Sequence, residues 1–280
     1  MTGSRTTATV PELARRGGGL HAGDRVVPEE TPVAFTYHGS THAVMMATPA
    51  DLDDFAVGFS LTEGIISDPA EIERVEAEVE DKGIDLQIRL ADAQSDALTA
   101  RRRHMAGPVG CGLCGIESIE QAVRVTPSVR ASALALTEDQ VTEAVHLLNG
   151  QQPLHMQTRA VHGAAFYVPG TGLIAVREDV GRHNALDKLA GAAARAGYRG
   201  NAGAVVVTSR VSVEMVQKTA IIGSPFIIAI SAPTALAIRT AEEAGMTLIA
   251  LVRGDEFEIF TGAERVVPAS GDAGRRAANR

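Results

Sequence analysis

The sequence predicts an α/β protein carrying a smaller α+β unit at its N-terminal side, and three observations say so. Beyond residue 180, helical and apolar strand patterns alternate: helices over 182–196, 212–222 and 234–244, strands over 204–208, 226–230 and 247–252. Alternation on that scale favours parallel strands with helices packed on the sheet faces. Ahead of residue 100 the patterns are short strands around a single helix, which reads as a separate, smaller unit. The composition, 45% apolar and 21% charged over 280 residues, is that of a folded chain of one large or two small domains. Thirty-four acidic against 26 basic side chains leave a net charge of −8, which excludes a general nucleic-acid binder. No window approaches the roughly 18 apolar residues of a membrane-spanning helix, and the cytoplasm is the expected location.

In order along the chain, residues 1–24 lack periodicity and read as a flexible N-terminus. An N-terminal α+β domain is expected over 25–130. Its strands fall at 31–37 and 43–47, followed by Thr48-Pro49 as a helix start and Gly64 as its stop. Val75, Ala77 and Val79 alternate with charges, as do Ile84, Leu86 and Ile88 after Asp81-Lys82-Gly83, which predicts a hairpin. Helical residues to about Met105 then give way to a glycine-rich loop, with a helix resuming over 116–123. The α/β domain is expected over 131–267, opening with a capping box, Thr137 and Gln140, and a hairpin turning at Pro169-Gly170-Thr171-Gly172. A last edge strand falls at 257–261, and 268–280 reads as a flexible tail.

The two cysteines, Cys111 and Cys114, lie in the loop and exclude a disulfide scaffold or a four-cysteine zinc site within one chain. Glycines at 110, 112 and 115 leave both sulfurs uncovered, which suits a thiol that meets a large partner. Half a zinc site, a dithiol oxidoreductase, a pair of incidental core cysteines and persulfide carriage all compete, and persulfide carriage fits the loop best.

The second constellation runs from Arg177 to Lys188, where a strand hands over to a helix. There Arg182 and Lys188 are placed to meet phosphate and His183 to hydrogen-bond or move a proton; a charge-decorated helix start explains the run equally well. Thr208-Ser209-Arg210 and Ser231-Ala232-Pro233-Thr234 each follow an apolar strand, so Ser209, Ser231 and Thr234 either cap helices or line an anion pocket. Glu214 and Lys218, four apart, read as a helix-surface pair.

The chain resembles the formate dehydrogenase accessory sulfurtransferases. The likeness rests on Ala47-Thr48-Pro49-Ala50-Asp51-Leu52 through Gly58-Phe59 to Glu63-Gly64-Ile65-Ile66, on the loop from Cys111 to Gly115, on Asp179 through Lys188, and on the two strand-end segments at 208–210 and 231–234. The resemblance implies a three-layer, cytidine-deaminase-like C-terminal domain and, usually, a homodimer. It implies sulfur received as a persulfide from an L-cysteine desulfurase, carried on Cys111 with Cys114 as its loop partner. That sulfur would pass to molybdenum bis(molybdopterin guanine dinucleotide) before the cofactor enters formate dehydrogenase. The family's cofactor-binding stretch falls on Leu251, Val252, Arg253, Gly254, Asp255 and Glu256. Two other readings remain: a chaperone that binds the molybdenum cofactor without moving sulfur, and a zinc-dependent deaminase-like hydrolase. The hydrolase is disfavoured because Asn184 and Ala185 follow His183 where a zinc deaminase has His-X-Glu.

Overall fold

The computed structural model describes residues 5–91 and 125–268. Cys111, Cys114 and the helix expected over 116–123 lie outside the described residues. The chain opens on a two-stranded ribbon, β1 (Thr7–Arg16) and β2 (Gly19–Pro28), turning through Gly17 and Gly18 at positive φ. Residues 7–24, expected as part of a flexible lead-in, are strand and turn instead. The ribbon buries neither face, so its strands show none of the apolar alternation by which a strand is read.

A four-stranded sheet follows, built from β3 (Thr31–Tyr37), β4 (Ser40–Ala47), β5 (Ile72–Glu80) and β6 (Gly83–Leu90) in the order β4-β3-β6-β5. Helix α1 (Leu52–Thr62) lies on its inner face. Phe35 stacks on Phe59 with ring centroids 4.0 Å apart and meets Phe55 edge-on at 4.9 Å. Thr48 does not start this helix. Asp51, in the left-handed region at φ 53°, is the N-cap, and Thr48 is drawn away to the domain seam.

The second sheet is reached through β7 (Leu136–Thr137), α2 (Glu138–Gly150) and α3 (Pro153–Thr158), with the Thr137–Gln140 capping box formed. Then come β8 (His162–Val168), β9 (Gly172–Asp179), α4 (Arg182–Arg195), β10 (Ala204–Val207), α5 (Val213–Ile222), β11 (Phe226–Ala229), α6 (Ala235–Ala244), β12 (Thr247–Arg253) and β13 (Glu256–Thr261). A short β14 (Val266–Val267) pairs with β7. The order is β13-β12-β11-β10-β8-β9, with β10, β11 and β12 parallel and β13 at an edge. Strand alternation divides the apolar residues between two layers. Val205, Val207, Ile227 and Leu248 pack with Leu186, Leu189 and Met215 of the helices on one face. Val206, Ile228 and Ile249 pack with Val141 and Leu148 of α2 on the other. The sheet is therefore the middle of three layers.

Helix α1 crosses α4 where each presents a glycine. A Cβ on Gly58 would stand 1.7 Å from the Asp187 carbonyl oxygen, and one on Gly191 would stand 1.9 Å from that of Asp54. Only hydrogen fits at either position, so the glycines set the separation of the two helices and hold the two sheets in one frame.

Candidate functional site

Helix α4 divides the run from Asp179 to Lys188 by its own period. Asn184, Asp187 and Lys188 point into the seam between the sheets and are buried, whereas Arg182 and His183 stand in the first turn, half-exposed. Lys188 does not meet phosphate. Its Nζ donates to Asp179 Oδ2 at 2.6 Å and to the Thr48 carbonyl at 2.8 Å, with both side chains fully enclosed. Asp179 also accepts from Thr48 N, Gly181 N and Asn184 Nδ2, so one carboxylate ties β9, α4 and the end of β4 together.

A second buried lysine lies one helix away. Lys218 Nζ donates to Asp187 Oδ1 at 2.7 Å, Glu63 Oε1 at 3.0 Å and Thr62 Oγ1 at 2.9 Å. Lys218 and Glu214 therefore form no surface pair. Burial alone would favour neutral Lys218, but the Asp187 and Glu63 carboxylates outweigh it and hold the ammonium above its ordinary range. Burial pushes Asp187 up against the pull of Lys218. A third node joins the domains at Asp54, which accepts from Arg177 Nη2 and Arg195 Nη1, each at 2.6 Å. All three nodes are closed, with each charge matched by its partners.

The carboxyl ends of β10, β11 and β12 are different. Sheet register gathers there Thr208-Ser209-Arg210 after β10, Ser231 to Thr234 after β11, and Leu251 to Arg253 at the end of β12. Antiparallel β8 and β9 bring the start of one and the end of the other to the same edge, through His162 opposite Asp179. Arg182, His183, Ser209, Ser231, Thr234 and the 251–256 segment thus share one border, while Lys188 and Lys218 face the seam. Their environments differ. Ser209 is buried and donates to the Arg210 carbonyl, and Thr234 caps α6 by accepting from Ala237 N. Arg253, Gly254, Asp255 and Glu256 form an exposed turn, preceded by buried Val252. Leu251 lies at φ 57°, a left-handed conformation that costs a branched residue about 1–3 kcal/mol and clusters at functional sites.

Two open donors lie at this edge. Among the described residues, Arg182 Nε and Ser212 Oγ are buried and have no hydrogen-bond partner. Helices α4 and α5 both begin there without a side-chain cap, so their first-turn N–H groups add to the positive field. His183 Nε2 stands 2.9 Å from Glu214 Oε2, short in distance but off the ring N–H direction. That contact draws the Glu214 carboxyl below its ordinary range. Burial, then Arg182, lowers His162, with Asp179 pulling the other way. Donors without acceptors, beside a histidine held below its ordinary range first by burial and then by a nearby cation, give this edge the chemistry of an anion site. His162 and Ser212 escape a reading of the sequence, one being the first residue of a strand and the other an ordinary helix-start hydroxyl. Among the described residues, no cluster of three His, Cys, Asp or Glu is placed to hold a metal ion.

The fold and this edge define a class: a two-domain α/β protein, locked at its seam, with buried unpaired polar groups at the carboxyl ends of its parallel strands. The chain belongs to the FdhD/NarQ family, which matches residues 28–267. It is 64% identical over 258 residues to the protein named sulfur carrier protein FdhD of Agrobacterium fabrum, covering 92% of this chain and 95% of that one. It is 54% identical over 267 residues to the protein of the same name from Brucella abortus, covering 95% and 99%. A crystal structure of a candidate formate dehydrogenase accessory protein from Desulfotalea psychrophila superposes with a TM-score of 0.74 at 27% identity, over 94% of this chain and all of that one.

Proposed function

We propose that this chain is a sulfur carrier that serves formate dehydrogenase. The observation that carries the reading is its 64% identity, across nearly its whole length, to a protein named as a sulfur carrier. In detail, the Cys111 thiolate attacks the outer sulfur of a persulfide on an L-cysteine desulfurase. The sulfur–sulfur bond of the donor breaks, the donor cysteine leaves as a thiolate, and Cys111 holds the persulfide. Cys114 is its partner in the loop. The sulfur then passes, in the cytoplasm, to molybdenum bis(molybdopterin guanine dinucleotide), the cargo, before that cofactor enters formate dehydrogenase.

The anion edge fits such a cargo. Its guanine nucleotide arms carry phosphates; among the described residues Arg182 Nε and Ser212 Oγ are donors that lack acceptors, and the first turns of α4 and α5 have no side-chain cap. Arg253 and the turn to Glu256 border the same edge, with Ser231 between. Arg182 is the residue assigned to phosphate; His183, turned toward Glu214, orients the first turn of α4.

Mass spectrometry after incubation with desulfurase and L-cysteine tests the first transfer. One added sulfur atom is expected on the wild type and none on Cys111→Ala; loading undiminished in the variant overturns the assignment. Complementation of a strain lacking this factor tests the second. If Cys111→Ala still supports formate dehydrogenase, the protein is a cofactor-binding chaperone and not a carrier.

A further inference from the structure

Below the carboxyl edge, helices α1, α4 and α5 enclose with β4 a cleft of about 210 Å³. The two sites share the first turns of α4 and α5: Arg182 and Ser212 belong to the edge, while His183 and Glu214 line the cleft. Phe59, Met45 and Ile221 give it apolar walls, which suit the faces of a flat ring. At the back, Lys218 is fully engaged by Thr62, Glu63 and Asp187, so it closes the cleft and has no hydrogen to offer a ligand.

The polar groups at the mouth form a pattern. Among the described residues, the Glu214 carboxylate has one close polar contact, His183 Nε2, 2.9 Å from Oε2 and off the ring N–H direction. That contact keeps the carboxyl below its ordinary range, so it is ionised and only accepts. His183 Nε2 is itself buried without a hydrogen-bond partner, and in the tautomer that carries its proton there it donates. Two carboxylate oxygens beside one N–H read acceptor, acceptor, donor. The amino-oxo-pyrimidine edge of a guanine-type ring presents the converse in one row: an amino N–H, a ring N–H and an oxo group. Adenine would set a bare ring nitrogen against the carboxylate, and hypoxanthine has no amino group.

We propose that the cleft reads the amino-oxo-pyrimidine edge of a fused ring, with Glu214 accepting from the amino and ring N–H groups and His183 Nε2 donating to the oxo group. Guanine and pterin both carry that edge, and the cargo proposed above contains both, so Glu214 as a specificity residue rests on that reading. The edge takes the phosphate charge, and the cleft beside it chooses the ring.

Calorimetry of the full chain tests this with guanosine, inosine and adenosine diphosphates and with biopterin as probes, and sulfur loading by the desulfurase is measured beside it. The three nucleotides share their phosphates, so only the ring differs. The guanosine form is expected to bind about 10-fold tighter than the inosine form and about 100-fold tighter than the adenosine form, as hydrogen bonds to a charged group are lost. Glu214→Gln is expected to bring guanosine and inosine forms within about threefold of each other. If those two already bind wild type alike, but biopterin binds it and weakens about 10-fold in Glu214→Gln, the pterin is the ring that seats there. Nitrogen NMR of the wild type gives a reading that needs no variant: His183 Nε2 is expected to shift with the preferred ring and to stay put with the adenosine form. A silent His183, a guanine preference that survives Glu214→Gln, or no preference among nucleotides and no Glu214-dependent binding of biopterin would overturn the proposal. Sulfur loading lost while the ring preference stands would instead count against the carrier reading alone.

Discussion

The seam and the carboxyl edge both draw on the run from Asp179 to Lys188 yet handle polar groups in opposite ways. At the seam, Lys188 and Lys218 are buried, and every charge near them is met by a carboxylate, a hydroxyl or a carbonyl. At the edge, Arg182 Nε and Ser212 Oγ are buried with no partner among the described residues. An unpaired buried donor costs about 1–3 kcal/mol, so a fold keeps one where a ligand completes it. The difference separates residues that hold the two domains in register from residues that hold something else. In both places a cation stands near a helix, and only its satisfaction tells the roles apart.

The sharpest way to break that division is to open the seam. Asp187→Ala leaves the buried Lys218 ammonium with Glu63 as its remaining carboxylate partner and is expected to destabilise the fold by up to about 3 kcal/mol in urea unfolding. Asp187→Leu together with Lys218→Met removes both charges and is expected to recover most of that loss. If the single change costs under about 1 kcal/mol, the seam is not a closed network. Arg182→Gln carries the opposite expectation. Its unfolding midpoint should stay within about 0.5 kcal/mol of wild type, while calorimetric affinity for a guanine nucleotide diphosphate falls by about 1.5–3 kcal/mol. A variant that binds as well as wild type, or that unfolds early, would move Arg182 to the structural side. Gly191→Ala tests the helix crossing, since its Cβ would overlap the Asp54 carbonyl. A loss of about 1–3 kcal/mol is expected, with nucleotide affinity largely kept.

Periodicity made the α/β domain legible in the sequence: the six helix and strand spans from 182 to 252 all form, within a residue or two at their ends. Apolar strands between amphipathic helices carry their own period, and their register then brings the polar strand ends to one border without further information. The ribbon was illegible because neither of its faces is buried. The partners of Lys188 and Lys218 escape a reading of the sequence for a related reason. Periodicity says which face a lysine shares, but whether that face meets solvent or a second domain depends on contacts with residues more than 120 positions away, such as Thr48 and Thr62. Thr48-Pro49 likewise has the form of a helix start, and the pull of Asp179 on its backbone displaces that start to Asp51.

The smallest effect expected lies at His162, and it asks whether the edge is positive when empty. Burial and Arg182 lower the imidazole from its ordinary 6.5, against Asp179, with His155 and His183 adding to the lowering. A histidine depressed in the folded state binds fewer protons there than in the unfolded chain. Its effect on stability is therefore nil above about pH 6.5 and becomes a loss as pH falls from there through the folded value. Nitrogen-detected NMR titration should place His162 below 6.5, and His162→Gln should flatten the unfolding curve in that window. An anion seated on Arg182 cancels the cation that helps keep His162 neutral, so the same titration in saturating phosphate should move upward. A His162 that titrates at or above 6.5 without ligand, or that ignores phosphate, would mean the edge has no standing positive field. The donors there would then have to be explained by something other than an anionic guest.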